Sequence, residues 1–278
     1  MAEAETITNF AKTVYKIGKS DRDNIIGVAG FTGEGKSVFL IHLMREYSKI
    51  AKVKWNLQGN LTWSREELLK WIDGDQKGKG KKAEYSALQP DELISMFYRR
   101  GWYEDPQKEA IELLNKCRDR HLLIGGGIPN FWDLDTGFQS RIRFYVYTPR
   151  GRGKAYVFEQ EDNPFASDKW NARENLKLFR KHKSPYKCPN FVCEIHFPDL
   201  SPKEKREYYA IRNKKRVNTE LQSKKERFEK YSRIKKQRDI LLREFSRLHP
   251  DLKPKDLADL LEYNLSVSAI RMILLGER

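Results

Sequence analysis

Little in this chain could hold it together covalently. Cys117, Cys188 and Cys193 are all the cysteine that 278 residues contain, too few for a disulfide framework, so a reducing compartment is expected. Apolar runs are short as well. None approaches the roughly 18 residues that a membrane span needs, and the N-terminal MAEAETITNF lacks the basic and then apolar character of a secretion signal. The expectation is a cytoplasmic protein with no integral membrane segment. Acidic residues are in deficit, 39 Asp and Glu against 54 Lys and Arg, and the formal net charge is +15. That balance favours a polyanionic partner, nucleic acid or an acidic membrane surface, and is silent about fold. No internal repeat is visible, and no Ser/His/Asp or Cys/His nucleophile arrangement stands out.

What is present divides unevenly along the chain. Up to about residue 160, short β-type runs alternate with helical periods, the pattern of an α/β domain with a mostly parallel sheet. The expected strands are Ile25 to Ala29, Val53 to Leu57, His121 to Gly125 and Ile142 to Thr148. The turn PRGRGK then leads into AYVFEQ, which reads as a hairpin on the edge of the sheet. Prolines break helical continuity across 166–205, which reads as a linker or adaptor between the α/β domain, 1–165, and a basic helical region, 206–278. Residues 201–250 hold 17 Lys and Arg against 7 Asp and Glu, at high helix propensity. The last segment has two apolar-periodic stretches, Leu257 to Tyr263 and Val267 to Leu275, spaced as two short helices about a turn.

The sharpest motif is Gly30-Phe31-Thr32-Gly33-Glu34-Gly35-Lys36-Ser37, followed by Val38, which fits the phosphate-binding pattern G-x-x-x-x-G-K-[ST] at every fixed position. Glycines let consecutive backbone N–H groups turn inward toward the β- and γ-phosphates, at the positive end of the next helix. Lys36 adds a point charge, and Ser37 would place its hydroxyl on Mg²⁺. ATP with Mg²⁺ is therefore the expected ligand pair. Hydrolysis would further need an acid to hold the metal and a carboxylate to orient water. Asp91-Glu92 can be read either as that pair, Asp91 on the metal and Glu92 on the water, or as the acidic first turn of a helix with Pro90 at its first position.

Several basic groups are candidates for phosphate contact. Lys77, Lys79, Lys81 and Lys82 sit in the glycine-lysine loop DGDQKGKGKKAE, which could line a pore or be an exposed solubilising loop. Lys214, Lys215, Arg216, Lys224 and Lys225 lie in the basic helix, where acids are too sparse to neutralise them. Arg271 is the one obvious base-reading side chain if the terminal helix pair, which loosely resembles a helix-turn-helix, enters a groove; docking to protein is the equal alternative. Arg141 and Arg143 are candidates for an arginine supplied to a neighbouring subunit's γ-phosphate, or for solvated charge on an edge strand. His182, Cys188, Cys193 and His196 offer four N/S ligands at a spacing foreign to ordinary zinc sites, so buried thiols and surface imidazoles are the simpler reading.

Three blocks carry a resemblance. VAGFTGEGKSVFL (Val28 to Leu40), DELISMF (Asp91 to Phe97) and HLLIGGGIPNFWDLDTGFQSRIRFYVYT (His121 to Thr148) resemble, in that order, segments of the FtsK/HerA superfamily of DNA-pumping P-loop ATPases. The resemblance spans about Ile25 to Thr148. It implies a RecA-like core with an extra strand between the two motifs, Glu92 as catalytic glutamate, and a ring, usually hexameric, that moves DNA. Small viral packaging ATPases and Zot-like assembly ATPases share the group, so a viral or plasmid origin is among its implications. The family's R-I pair falls on Arg141-Ile142, which makes Arg141 the preferred trans arginine. Where many members have a γ-phosphate-sensing glutamine this chain has Gly127, and Asn130 is the nearest amide to substitute. The functional expectation is an ATP-hydrolysing DNA motor or DNA-associated ATPase. A non-translocating switch or loader in replication, transposition or partition, and a Zot-like ATPase at a membrane complex, are the alternatives.

Overall fold

The computed structural model describes residues 5–22, 24–75, 77–91, 93, 118–161, 168–260 and 265–275, without the side chains of 216, 218–227 and 230. It forms two compact units, Met1–Arg216 and Val217–Arg278. Among the described residues the first unit holds eight strands: β1 (Glu5–Thr6), β2 (Ile25–Gly30), β3 (Leu61–Thr62), β4 (Ala87–Pro90), β5 (Leu123–Ile128), β6 (Ile142–Thr148), β7 (Lys154–Glu159) and β8 (Phe191–His196). They lie in one sheet in the order β1-β8-β7-β6-β2-β5-β4-β3. β7 is antiparallel to both its neighbours, and the other pairs are parallel.

β2 is buried along its whole length, as expected of a central parallel strand covered on both faces. Its side chains alternate between two cores. Ile25 and Ala29 face Leu88, Ile124, Phe131 and Phe138, while Ile26 and Val28 face Phe10, Phe39, Leu40 and Met44. The second core is closed by α1 (Ile7–Lys19) and α2 (Lys36–Ala51). Thr6 starts α1 by accepting the Asn9 N–H at 3.2 Å. α2 presents Phe39, Leu40, Leu43, Met44 and Tyr47 inward at helical spacing. α3 (Arg65–Asp73) packs Leu68, Trp71 and Ile72 on the opposite face. β5 separates β2 from β4, so the strand leading to the phosphate loop and the strand leading to Asp91 are not adjacent.

The topology departs from the sequence reading in three places. Residues 53–56 are not a strand: Lys52 ends α2 in the left-handed region, and Asn56 caps a one-turn helix, Leu57–Asn60, by accepting the Gly59 N–H at 2.7 Å. The strand falls later, at Leu61–Thr62. The β6–β7 hairpin is present but is not the sheet's edge, because β8 and β1 continue beyond it. β8 comes from within 166–205, so that segment is not simply a linker: it adds α4 (Ala172–His182) and an inner strand to the first unit. Its prolines fall around the strand rather than in it, with Pro185 opening a short 3-10 turn.

A 47-residue helix, α5 (Pro202–Leu248), crosses the division between the units. Its opening turns are fixed to the first unit by Arg45–Glu204 at 2.6 Å and Lys215–Glu67 at 3.0 Å. The Ser201 hydroxyl and backbone N–H, then Arg45, hold the Glu204 carboxyl down at about 2. In the second unit α6 (Pro254–Leu260) and α7 (Val267–Leu275) join through Leu257, Ala258 and Ile270. Arg243 of α5 donates to the Ile273 carbonyl at 2.7 Å.

Candidate nucleotide-binding site

The loop Gly30–Ser37 hangs between the end of β2 and the start of α2. Gly30, Gly33 and Gly35 have φ of 146°, 89° and 92°, backbone that side chains rarely adopt, and Gly35 is the N-cap of α2. At Gly30 a Cβ would lie 2.4 Å from the Thr148 carbonyl oxygen on β6, so that position is closed to other residues sterically as well. With glycine as cap, no side chain covers the first N–H groups of α2, and they face the loop. Lys36 Nζ donates to the carbonyls of Gly30 and Phe31 at 2.7 and 2.9 Å, which places its ammonium over the loop. Burial lowers the Lys36 pKa, and the carboxylates of Asp91 and Glu34 oppose that shift. Thr32 is exposed, whereas Val38 turns toward the core beside Trp55.

Asp91 stands immediately after β4. Ala87–Pro90 is a strand with Pro90 at its last position, where a missing N–H is tolerated, so Pro90 is not the first residue of a helix. The Ser37 hydroxyl donates to Asp91 Oδ1 at 2.8 Å. A charge-assisted bond of this kind contributes about 1.5–3 kcal/mol. The glycines of β5 let Asp91 come close: a Cβ on Gly127 would be 2.7 Å from the Asp91 carbonyl, and one on Gly126 would be 2.6 Å from that of Pro90. A glutamine at 127 would therefore displace the acid. Ser37 and Asp91 are hard oxygen donors within reach of each other and of Lys36, a set that suits Mg²⁺, an ion that takes few protein ligands. Among the described residues no group of three or more His, Cys, Asp and Glu is arranged around a metal position. Glu92, assigned to the water, lies outside the described residues.

Tyr208, from the basic helix α5, was not foreseen. Its hydroxyl donates to Asp91, 3.2 and 3.1 Å from the two carboxylate oxygens, and both residues are buried. The signal for it was weak: Tyr208, Ile211 and Lys215 recur at helical spacing within a run dominated by charge.

Glu34 has a role within the fold. Its carboxylate accepts the Gly151 N–H at 3.0 Å, while Arg152 Nε donates to the Gly33 carbonyl at 2.8 Å. Arg150 lies 4.7 Å from the Phe31 ring centroid. The tip of the β6–β7 hairpin is thereby clasped to the phosphate loop. These groups are exposed or half-buried, so Glu34→Ala is expected to cost only about 0.5–1.5 kcal/mol. Thermal melting together with faster hydrogen exchange at the Gly151 amide would register it, and an unchanged Gly151 exchange rate would deny the clasp.

The remaining candidates are scattered. Asn130 follows β5 at the same end of the sheet as the loop, and its side-chain oxygen accepts the Trp132 N–H at 3.4 Å, capping a 3-10 turn. Arg141 and Arg143 are at the opposite end of β6, where Ile142 pairs with Ile25 rather than Gly30. Arg143 pairs with Glu159 of β7. Neither arginine can reach this chain's own loop.

The basic candidates differ among themselves. Lys77 and Lys79 are exposed in a loop whose backbone N–H groups bond the Asp75 carboxylate, and Lys81 is 3.9 Å from Asp73. Lys82 instead lies 5.1 Å from the Trp71 ring centroid, and burial lowers its pKa. Lys215 donates to the Leu61 carbonyl and to Glu67. Lys82 and Lys215 are thus engaged within the fold. Lys214 and Arg271 are exposed, and the side chains of Arg216, Lys224 and Lys225 lie outside the described ones.

The four zinc candidates serve separate ends. Cys188 and Cys193 are buried free thiols. Burial and then the Glu5 charge push Cys193 up to about 12. His196 bonds Glu194 at 2.5 Å, and His182 is in the last turn of α4.

This strand order, with a glycine loop after β2 and an acid after β4, defines a P-loop NTPase fold of RecA-like arrangement. No protein-family model matches the chain, and no curated protein matches it. Solved structures do. The genome packaging NTPase B204 of Sulfolobus turreted icosahedral virus 2, in complex with ATP-gammaS, is 13% identical over 49% of this chain and 92% of that one, with a TM-score of 0.37. C. elegans PCH-2 is 11% identical over 52% of this chain and 42% of that one, TM-score 0.33. The FIGL-1 AAA domain in complex with ADP is 15% identical over 54% and 57%, TM-score 0.35. At these levels the assignment rests on the topology and loop of this chain itself.

Proposed function

We propose that this chain is an ATP-hydrolysing DNA motor or DNA-associated ATPase that works as an oligomeric ring. The observation that carries the catalytic part is the bond between Ser37 and Asp91, which joins the end of the phosphate loop to the acid after β4. Backbone N–H groups of 33–38 and Lys36 would bind the phosphates, and Ser37 and Asp91 would hold Mg²⁺. When bound, the ion neutralises developing charge on the phosphoryl oxygens. Glu92 would orient the attacking water, and Asn130 would sense the γ-phosphate. Arg141, at the far end of the sheet from its own loop, would act on a neighbour's nucleotide, with Arg143 the second choice. The net charge of +15 supports DNA as partner, through the exposed Lys77, Lys79, Lys81 and Lys214 and through Arg216, Lys224, Lys225 and Arg271.

One observation favours a second reading, a switch or loader that docks on protein. Tyr231, Ile234, Leu241, Phe245 and Leu248 are exposed on α5 at steps of three, four and seven, the spacing of a helix-packing seam. Among the described residues no helix is long and apolar enough to cross a membrane.

ATPase rates of wild type and Glu92→Gln, with and without single- and double-stranded DNA, alongside a mass measurement in ATP, test the proposal. Expected are DNA-stimulated turnover by a multimer, and a loss of about 100- to 1,000-fold in Glu92→Gln. Normal hydrolysis by Glu92→Gln would remove that residue from the mechanism. A monomer indifferent to DNA would favour the docking reading.

A further inference from the structure

The contact between Tyr208 and Asp91 joins two parts of the sequence that have separate readings, the acid of the nucleotide site and the basic helix. Its geometry is specific. Asp91 receives the Ser37 hydroxyl on Oδ1 and the Tyr208 hydroxyl between its two oxygens, and its own N–H donates to the Thr62 carbonyl at 2.9 Å. Thr62 in turn bonds Glu67 at 2.5 Å, and Glu67 receives Lys215, about two turns further along the same face of α5. The same opening turns of α5 are held by Arg45 through Glu204. Tyr208 is 6% exposed and packs with Leu200, Leu61 and Trp63, so its hydroxyl is delivered to Asp91 by a fixed ring rather than by a mobile surface side chain. A carboxylate that holds a metal is oriented by the hydrogen bonds it accepts on its other lone pairs, and such outer partners govern metal affinity without touching the ion.

We propose that Tyr208 is a positioning residue for the Mg²⁺–nucleotide site, fixing the orientation of the Asp91 carboxylate and so making metal binding depend on how the first turns of the basic helix are seated. This rests on the reading of the chain as an ATPase. Tyr208→Phe removes only the hydroxyl and retains the ring's packing. Tyr209→Phe, one residue on, removes a hydroxyl from an exposed ring and serves as control.

The measurement is binding of a fluorescent ATP analogue to the full chain, titrated with Mg²⁺ and repeated in EDTA. Tyr208→Phe is expected to raise the half-saturating Mg²⁺ concentration by about 10- to 100-fold while affinity in EDTA stays at the wild-type value. Tyr209→Phe is expected to match wild type in both. An unchanged or lower Mg²⁺ requirement in Tyr208→Phe, an equal shift in Tyr209→Phe, or an equal loss of affinity in EDTA would each overturn the inference. If wild type binds the analogue in a Mg²⁺-dependent way and Tyr208→Phe behaves identically, the positioning role alone fails. If wild type binds no analogue at all, the ATPase reading fails and this inference with it.

Discussion

Lys36→Ala is expected to lower ATP affinity and to reduce hydrolysis by about 100- to 1,000-fold, the usual loss when one preorganised charge-stabilising group is removed. The ammonium lies over the loop, 2.7 Å from the Gly30 carbonyl and 2.9 Å from that of Phe31, with Asp91 and Glu34 among the charges acting on it. Removing it therefore takes away both the charge offered to the phosphates and a staple across the loop's own backbone. The side chain is only half-buried and leaves no core cavity, so the melting temperature should change little. Lys36→Arg separates charge from shape: a planar fork cannot reproduce a compact ammonium donating to two converging carbonyls, so affinity should stay low although the charge is retained. Calorimetric titration with ATP, paired with thermal melting, distinguishes these effects. Wild-type affinity in Lys36→Ala would remove the loop from nucleotide binding.

Gly127→Ala should be the more damaging change to the fold. The added Cβ would stand 2.7 Å from the Asp91 carbonyl, a backbone atom that cannot swing aside as a side-chain tip can. Relief requires β4 to part from β5, which it joins through Ala87–Leu123 and Leu88–Ile124. Overpacking of this kind costs about 1–3 kcal/mol, or roughly 2–12 °C in melting temperature for a unit of this size. Because the displaced atom belongs to Asp91, hydrolysis and Mg²⁺ dependence should deteriorate together, even well below the melting transition. A variant that melts early yet hydrolyses normally when cold would show that Asp91 tolerates the shift. The same contact leaves no room for a side chain at position 127 while Asp91 stays where it is.

The sequence was a good guide wherever the deciding interactions were local. Ile25–Gly30 and Ile142–Thr148 were recognisable as strands from composition and run length, and Val267–Leu275 from its period. It misled at Val53 to Leu57, where alternating apolar and polar residues resemble a strand but Asn56 caps a turn instead. It misled again across 166–205, where prolines look like a break although Phe191–His196 enters the sheet between β7 and β1. Lys215 looked like one basic residue among many, yet Glu67 and the Leu61 carbonyl claim it.

By itself the sequence determined the phosphate loop. Its function depends on consecutive backbone N–H groups in a contiguous stretch, and the φ values of Gly30, Gly33 and Gly35 demand glycine whatever surrounds them. Only the tertiary structure decided what that loop works with. Ser37 and Asp91 are 54 residues apart, and Tyr208 is 117 from Asp91, the same separation as Glu34 from Gly151. Such pairs are set by the order of strands in the sheet and by which helix face is seated on it. No local period or propensity encodes either, because both follow from the joint burial of two cores on the faces of β2.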